Sequence, residues 1–186
     1  MTPAALPVLD HRNAAWARPQ RRPPLAIVRD TPAATLRPAA HTDAPALHAL
    51  LDAFVASGAL LPRSRQDVVR DIGEYIVAVV DGQVVGSVAV RRRAPELAEV
   101  GALAVAAHLQ GAGLGRRLVE AAVDCARNQG VSRVFALTLQ DEFFYRIGFA
   151  PANIGEFPQK IAADCSRCAR RADCREIAVA MPLTKC

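Results

Sequence analysis

The chain has 186 residues, 52% of them hydrophobic and 22% charged, enough apolar material for one domain with a sizeable core. No run approaches about 18 uninterrupted apolar residues, which excludes a membrane-spanning helix. The net charge is +5, but residues 1–34 hold five arginines against two aspartates, so the remainder carries only +2 and no nucleic-acid partner is expected.

Residues 1–34 are rich in Pro, Ala and Arg, show no helical period and lack the apolar core of a secretory signal. They read as a disordered extension ahead of a domain over 35–186, with an Arg-rich, acid-poor transit peptide as the alternative. A short strand follows at 35–39. Thr42 caps a helix to about Phe54, with Leu47, Leu50, Leu51 and Phe54 on one face. Residues 57–62 break it. Ser64 and Asp67 form a capping box that opens a second helix over 64–72. Residues 75–80 are a strand, Asp81-Gly82 a hairpin turn and 83–90 the returning strand. Residues 91–96 read as a polar loop, with Arg91, Arg92 and Arg93 as solvated charges, and 97–105 as a further strand. After a glycine-rich segment, Leu118, Val119, Ala122, Val123 and Ala126 form the apolar stripe of a helix over about 115–129, ended by Gly130. A buried strand at 132–139, a short helix at 141–148, a strand start at 149–153, an irregular stretch over 155–174 and a last strand at 175–183 complete the order. An antiparallel meander leading into a β–α–β unit predicts an α/β or α+β sandwich.

The glycine-rich segment, HLQGAGLG at 108–115, holds Gly111, Gly113 and Gly115 where a helix begins. Glycine costs about 1 kcal/mol relative to alanine inside a helix, so the segment needs a reason. Strand, glycine loop, helix is the order of a phosphate cradle. The first four amides of a helix lack intrahelical partners, and the helix dipole favours negative charge there. Missing β-carbons let a pyrophosphate approach those amides, and Arg116 and Arg117 add charge. The spacing matches neither the dinucleotide fingerprint nor Walker A. The alternative is a left-handed glycine turn with no ligand.

LAVAAHLQGAGLGRRLVEAA, residues 103–122, closely resembles the acetyl-CoA signature of the GNAT acyltransferases, with Gln110, Gly113 and Gly115 at the motif positions. FFYRIGF at 143–149 is similar to that family's C-terminal signature, and the likeness covers about 35–182. GALLPRSRQDVVRDIGEYIVA at 58–78 and VFALTLQDEFFYRIGF at 134–149 resemble the acetyltransferase domain of bacterial N-acetylglutamate synthases. The resemblance implies a GNAT fold, with a mixed, mostly antiparallel central sheet flanked by helices. It implies a cytoplasmic enzyme that moves the acetyl group of acetyl-CoA to the α-amino group of an amino acid, with L-glutamate and arginine biosynthesis as the first expectation. The alternatives are a GNAT acting on another small amine or a protein N-terminus, and a non-catalytic acetyl-CoA sensor. Homodimers are common in the family.

The coenzyme contacts implied are Leu103, Ala104, Val105, Gln110, Gly111, Ala112, Gly113, Leu114, Gly115, Arg116 and Phe144, with the backbone amide of Leu103 as donor to the thioester oxygen. Phe144 stands where the superfamily often has a tyrosine that protonates the leaving thiolate, which leaves the general acid unassigned. Strand alternation places Glu99 on one face with Gly101 and Leu103. Glu99 is the candidate proton acceptor; the alternative is a glutamate that faces solvent or pairs with an arginine of 91–93. For the substrate carboxylates the resemblance points to Arg63 with Ser64, then Lys160 and Arg175. Leu97 stands where the synthases have a lysine.

The five cysteines are Cys125, Cys165, Cys168, Cys174 and Cys186, an odd number without a secretory signal, which favours a reducing compartment. C-x-x-C is a half-site spacing for tetrahedral zinc. Cys165, Cys168 and Cys174 are candidate ligands of a structural zinc stapling the loop at 155–175, with Cys186, Asp164 or a histidine as a fourth. An iron–sulfur cluster, a regulatory disulfide or free thiols are the alternatives. Cys125 reads as a small buried hydrophobe.

Overall fold

The computed structural model describes residues 33–168 and 171–184; the expected disordered extension falls almost wholly outside them. In chain order the elements are β1 (Thr35–Pro38), α1 (Ala44–Ala56), α2 (Arg65–Arg70), β2 (Tyr75–Val80), β3 (Gln83–Ala94), β4 (Leu97–Val105), α3 (Leu114–Asn128), β5 (Arg133–Thr138), α4 (Asp141–Tyr145), β6 (Ala150–Pro151), α5 (Pro158–Ala163) and β7 (Ile177–Pro182). The strands form one sheet in the order β1-β2-β3-β4-β5-β7-β6. Only β4 and β5 run parallel; every other neighbour is antiparallel.

Period-two alternation sends side chains to two separate cores. On one face Ala78, Val88, Val90 and Val100 meet the apolar stripe of α3, all five of whose predicted residues are buried. On the other face Tyr75, Val77, Ala89 and Ala104 pack against Leu47 and Leu51 of α1 and Val68 of α2. The capping box at α2 is present: Ser64 Oγ accepts from the Asp67 amide at 3.1 Å, and Asp67 accepts from the Ser64 amide at 3.2 Å.

Three boundaries differ from the sequence reading. Residues 41–43 form a 3-10 turn and α1 begins at Ala44, because the Asp43 carboxylate binds Arg37 at 2.6 Å and the Ala40 amide at 2.8 Å. β3 runs on through the supposed polar loop to Ala94. The stretch at 155–174, read as irregular, contains α5, whose Phe157 at the helix entry stacks on Phe135 with ring centroids 4.0 Å apart.

Two features open the sheet beside β4. Opposite β3 the register slips between Ser87 and Ala89, and Ala102 adopts a left-handed φ of 48° while its carbonyl accepts from Ser87 Oγ. Opposite β5 the ladder covers only Leu97–Glu99 against Arg133–Phe135. Beyond it the two strands line a cavity instead of pairing.

Candidate active site

This cavity, about 940 Å³ in volume, lies at the carboxyl ends of the two parallel strands. β4 lines it from Glu99 to Leu103 and at Val105, β5 and its exit line it from Leu137 to Gln140, and Phe143 and Phe144 close one side. Ligand sites of open α/β sheets form in just such a crevice.

At one end sits the glycine loop. Gly111 and Gly113 have φ of 79° and 83°, and a Cβ built on either meets nothing within 4 Å. Backbone conformation, and not crowding by the protein, therefore calls for glycine there. Gly113 is the N-cap of the 15-residue α3, and no side chain caps that end. The first-turn amides are thus available to an outside acceptor, which suits a phosphate group. Gln110 Nε2 donates to the Val105 carbonyl at 2.9 Å and ties the loop to β4. Arg116 lines the cavity with an exposed side chain bonded to Glu120 at 2.7 Å. Arg117 turns away, donating to the Ala34 carbonyl at 2.8 Å, so it does not join the cradle as expected. Ala104 and Leu114 are core residues, and neither they nor the exposed Ala112 line the cavity.

At the other end, charges gather. Glu99 is 4% exposed and accepts from Lys160 Nζ at 2.7 Å and Arg93 Nε at 2.7 Å. Asp164 accepts from the same two residues, at 2.8 Å from Lys160 and 2.5 Å from Arg93. Burial works against an ionised Glu99, but the charges of Lys160 and Arg93 outweigh it and hold its carboxyl below the usual carboxylate range. Arg63 lies 3.3 Å from Asp71. Arg91, 7% exposed, donates to the Tyr75 hydroxyl at 3.2 Å. Its Nε approaches Glu74 Oε2 at 3.0 Å without hydrogen-bond alignment, and both atoms are buried without a hydrogen-bond partner.

Residues 44–149 match the acetyltransferase (GNAT) family. The chain belongs to that family. An uncharacterized N-acetyltransferase of Chlorobaculum tepidum is 38% identical over 148 residues, covering 80% of this chain and 96% of its own length. An amino-acid acetyltransferase of Neisseria meningitidis is 35% identical over 127 residues, 67% of this chain; the chain spans only 29% of that enzyme. The N-acetylglutamate synthase of Neisseria gonorrhoeae, solved with coenzyme A and N-acetyl-glutamate, superposes with a TM-score of 0.74 at 31% identity, covering 81% of this chain and 35% of its own. The fold is the GNAT fold, and the protein is an acetyl-CoA-dependent GNAT N-acetyltransferase. The uncapped, glycine-led start of α3 fits the coenzyme; the backbone of Gln110–Gly115 and Arg116 would hold its pyrophosphate.

Against this acetyltransferase cavity the predicted residues divide. Glu99, Leu103, Val105, Gln110, Gly111, Gly113, Gly115, Arg116, Phe144, Arg63 and Lys160 all line it. Ser64 does not: its hydroxyl is spent on capping α2. Arg175 is exposed and stands outside. Cys165, Cys168 and Cys174 border the cavity as free thiols. Among the described residues, however, no group of three or more His, Cys, Asp or Glu is placed to hold a metal ion, so the structural zinc is not supported; Cys186 lies outside those residues. Arg91 and Arg93, read as solvated, are instead a buried and a half-buried partner of Glu74, Glu99 and Asp164. Cys125 is half-buried and accepts from Gln129.

Proposed function

We propose that this acetyltransferase acts on the α-amino group of an amino acid, with L-glutamate the leading acceptor, and so belongs to arginine biosynthesis in the cytoplasm. The observation that carries the reading is the distribution of charge. The uncapped α3 terminus opens on one end of the cavity, and Arg63 and Arg91 line the other, where an anionic acceptor would sit. A cationic acceptor such as a polyamine would need acids there; Glu99 and Asp164 are paired with Lys160 and Arg93, and the third acid of the lining, Glu176, is exposed. The amino-acid acetyltransferase and N-acetylglutamate synthase relatives agree with that choice.

Acetyl-CoA supplies the activated acetyl thioester. The chain's part is to hold it and to receive charge and protons. The Leu103 amide, past the end of the β4–β5 ladder, is assigned as donor to the thioester oxygen. Phe144, T-stacked on Phe143 and Phe149, gives an apolar wall and no proton. With Glu99 committed to two cations, the proton of the acceptor leaves through water. A mass-spectrometric screen with acetyl-CoA, the twenty amino acids and a panel of amines tests the reading. Glutamate within tenfold of the best acceptor supports it. Turnover of another amine orders of magnitude faster overturns glutamate, and no turnover of any amino acid overturns the amino-acid class.

A further inference from the structure

We propose that Arg91 binds the α-carboxylate of the acceptor and thereby aims its amine at the coenzyme. This rests on the amino-acid reading above and names the residue that would enforce it.

An arginine buried to this degree needs its charge and its donors matched. Arg91 is only partly matched. Nη2 reaches the Tyr75 hydroxyl, and the ring of Tyr75 lies beneath the guanidinium with its centroid 5.7 Å from Cζ. Both contacts are neutral. Its carboxylate neighbour, Glu74, sits 3.0 Å from Nε but out of hydrogen-bond alignment, and burial pushes that carboxyl's pKa up, with Asp71 adding to the effect against the opposing charge of Arg91. The cavity thus holds a buried guanidinium with acids nearby, Glu74 at 3.0 Å and Glu99 and Asp71 also feeling its charge, but with its Nε–H left without a hydrogen-bond acceptor. A carboxylate accepting from its fork would supply one.

Placement supports the same ligand. Gly101 lies inside β4 on the cavity wall, and a Cβ built on it would come 3.3 Å from Arg91 Nη1. Its φ is not positive, so the missing side chain serves close approach and not backbone freedom. Leu103, the assigned oxyanion donor, is two residues further along the same strand, just past the left-handed Ala102. The α-carboxylate and α-amine of an amino acid are separated by a single carbon. A carboxylate seated at Arg91 beside Gly101 therefore directs the amine along β4 toward Leu103. Lys160 and Arg93 are poorer anchors, because each is bonded to both Glu99 and Asp164.

The test compares wild type, Arg91→Gln and Arg91→Lys on the best acceptor among the twenty amino acids and on its α-methyl ester. Coenzyme A affinity by calorimetry reports whether each variant is folded. The expected result is a fall of thirtyfold or more in kcat/KM for the free acid in Arg91→Gln, carried by KM, with the KM for acetyl-CoA within twofold. The preference for acid over ester should collapse toward unity. Arg91→Lys, which keeps the charge opposite Glu74, should recover part of both; it carries the test alone if the glutamine variant does not fold. A variant that retains the wild-type preference for the acid overturns the proposal and leaves the amino-acid reading standing. Wild-type enzyme that accepts acid and ester alike likewise overturns the proposal alone, and one that acetylates no amino acid at all overturns both.

Discussion

A carboxylate serves as general base when it can take up a proton near the working pH. Glu99 is held in the opposite sense: burial favours its neutral form, but Lys160 and Arg93 more than compensate and keep it ionised below the ordinary range. Its two oxygens are also occupied by those partners. Glu99→Gln should therefore act on stability before chemistry. Removing one partner of a buried charge network costs roughly 3–5 kcal/mol, read as a lower urea midpoint. The acid limb of the kcat/KM–pH profile should keep its position. A hundredfold loss of kcat with disappearance of that limb would instead make Glu99 the base. The surroundings of Glu99 were only half legible in the sequence. The strand and the shared face with Gly101 and Leu103 follow from alternation, and pairing with an arginine of 91–93 is one of the alternatives the sequence leaves open. What no local pattern shows is that Asp164, 71 positions from Arg93, returns to share the same guanidinium, so that of three consecutive arginines Arg91 is buried, Arg93 half-buried and Arg92 exposed.

Elements were legible in proportion to their periodicity. The stripe of α3 repeats at helical spacing from Leu118 to Ala126 and names its buried face directly. α5 is six residues long, opens on a proline and is fixed by Phe157 and the Lys160 pairs, all tertiary, so nothing in its own composition announces it. The two ends of α3 offer a controlled comparison. Gly113 before it and Gly130 after it both have left-handed φ, of 83° and 75°, and a Cβ on either would stand in open space. Alanine at either site should cost a similar amount of stability, about 1–2 kcal/mol, from the backbone conformation alone. Only Gly113→Ala should raise the KM for acetyl-CoA, by about tenfold, because only there is the open space the approach of a phosphate. Steady-state kinetics beside urea unfolding of the two variants checks this. An equal and unchanged KM in both would remove the cradle.

The sheet as a whole is two antiparallel groups, β1–β4 and β5–β7–β6, joined by a parallel ladder three residues long. That short seam gives the fold its cavity and leaves it dependent on other ties. One is ionic: Lys160 and Asp164, within and just after α5, bind Arg93 of β3 and Glu99 of β4. The acids of this cluster set its response to pH. Burial opposes ionisation of both Glu99 and Asp164, yet their cationic partners dominate and hold both pKa values down in the folded chain. In the unfolded chain the same carboxyls titrate at about 4.3 and 3.9. Above those values both states are ionised and the cluster contributes its full stabilisation. As pH falls through them, the unfolded state binds protons first, and the contribution is lost progressively down to the lower folded values. Urea midpoints should accordingly be insensitive to this cluster from pH 5 to 8 and fall below about pH 4. The loss should begin locally. Amides of 158–168, corrected for the intrinsic pH dependence of exchange, should lose protection at a higher pH than those of α3, which is held by apolar contacts. High salt should not reproduce the effect, since buried pairs are screened far less than exposed ones such as Arg70 with Asp67. Loss of protection at 158–168 and in α3 in one step, at one pH, would show that the cluster is not a separate tie and that the molecule opens only as a whole.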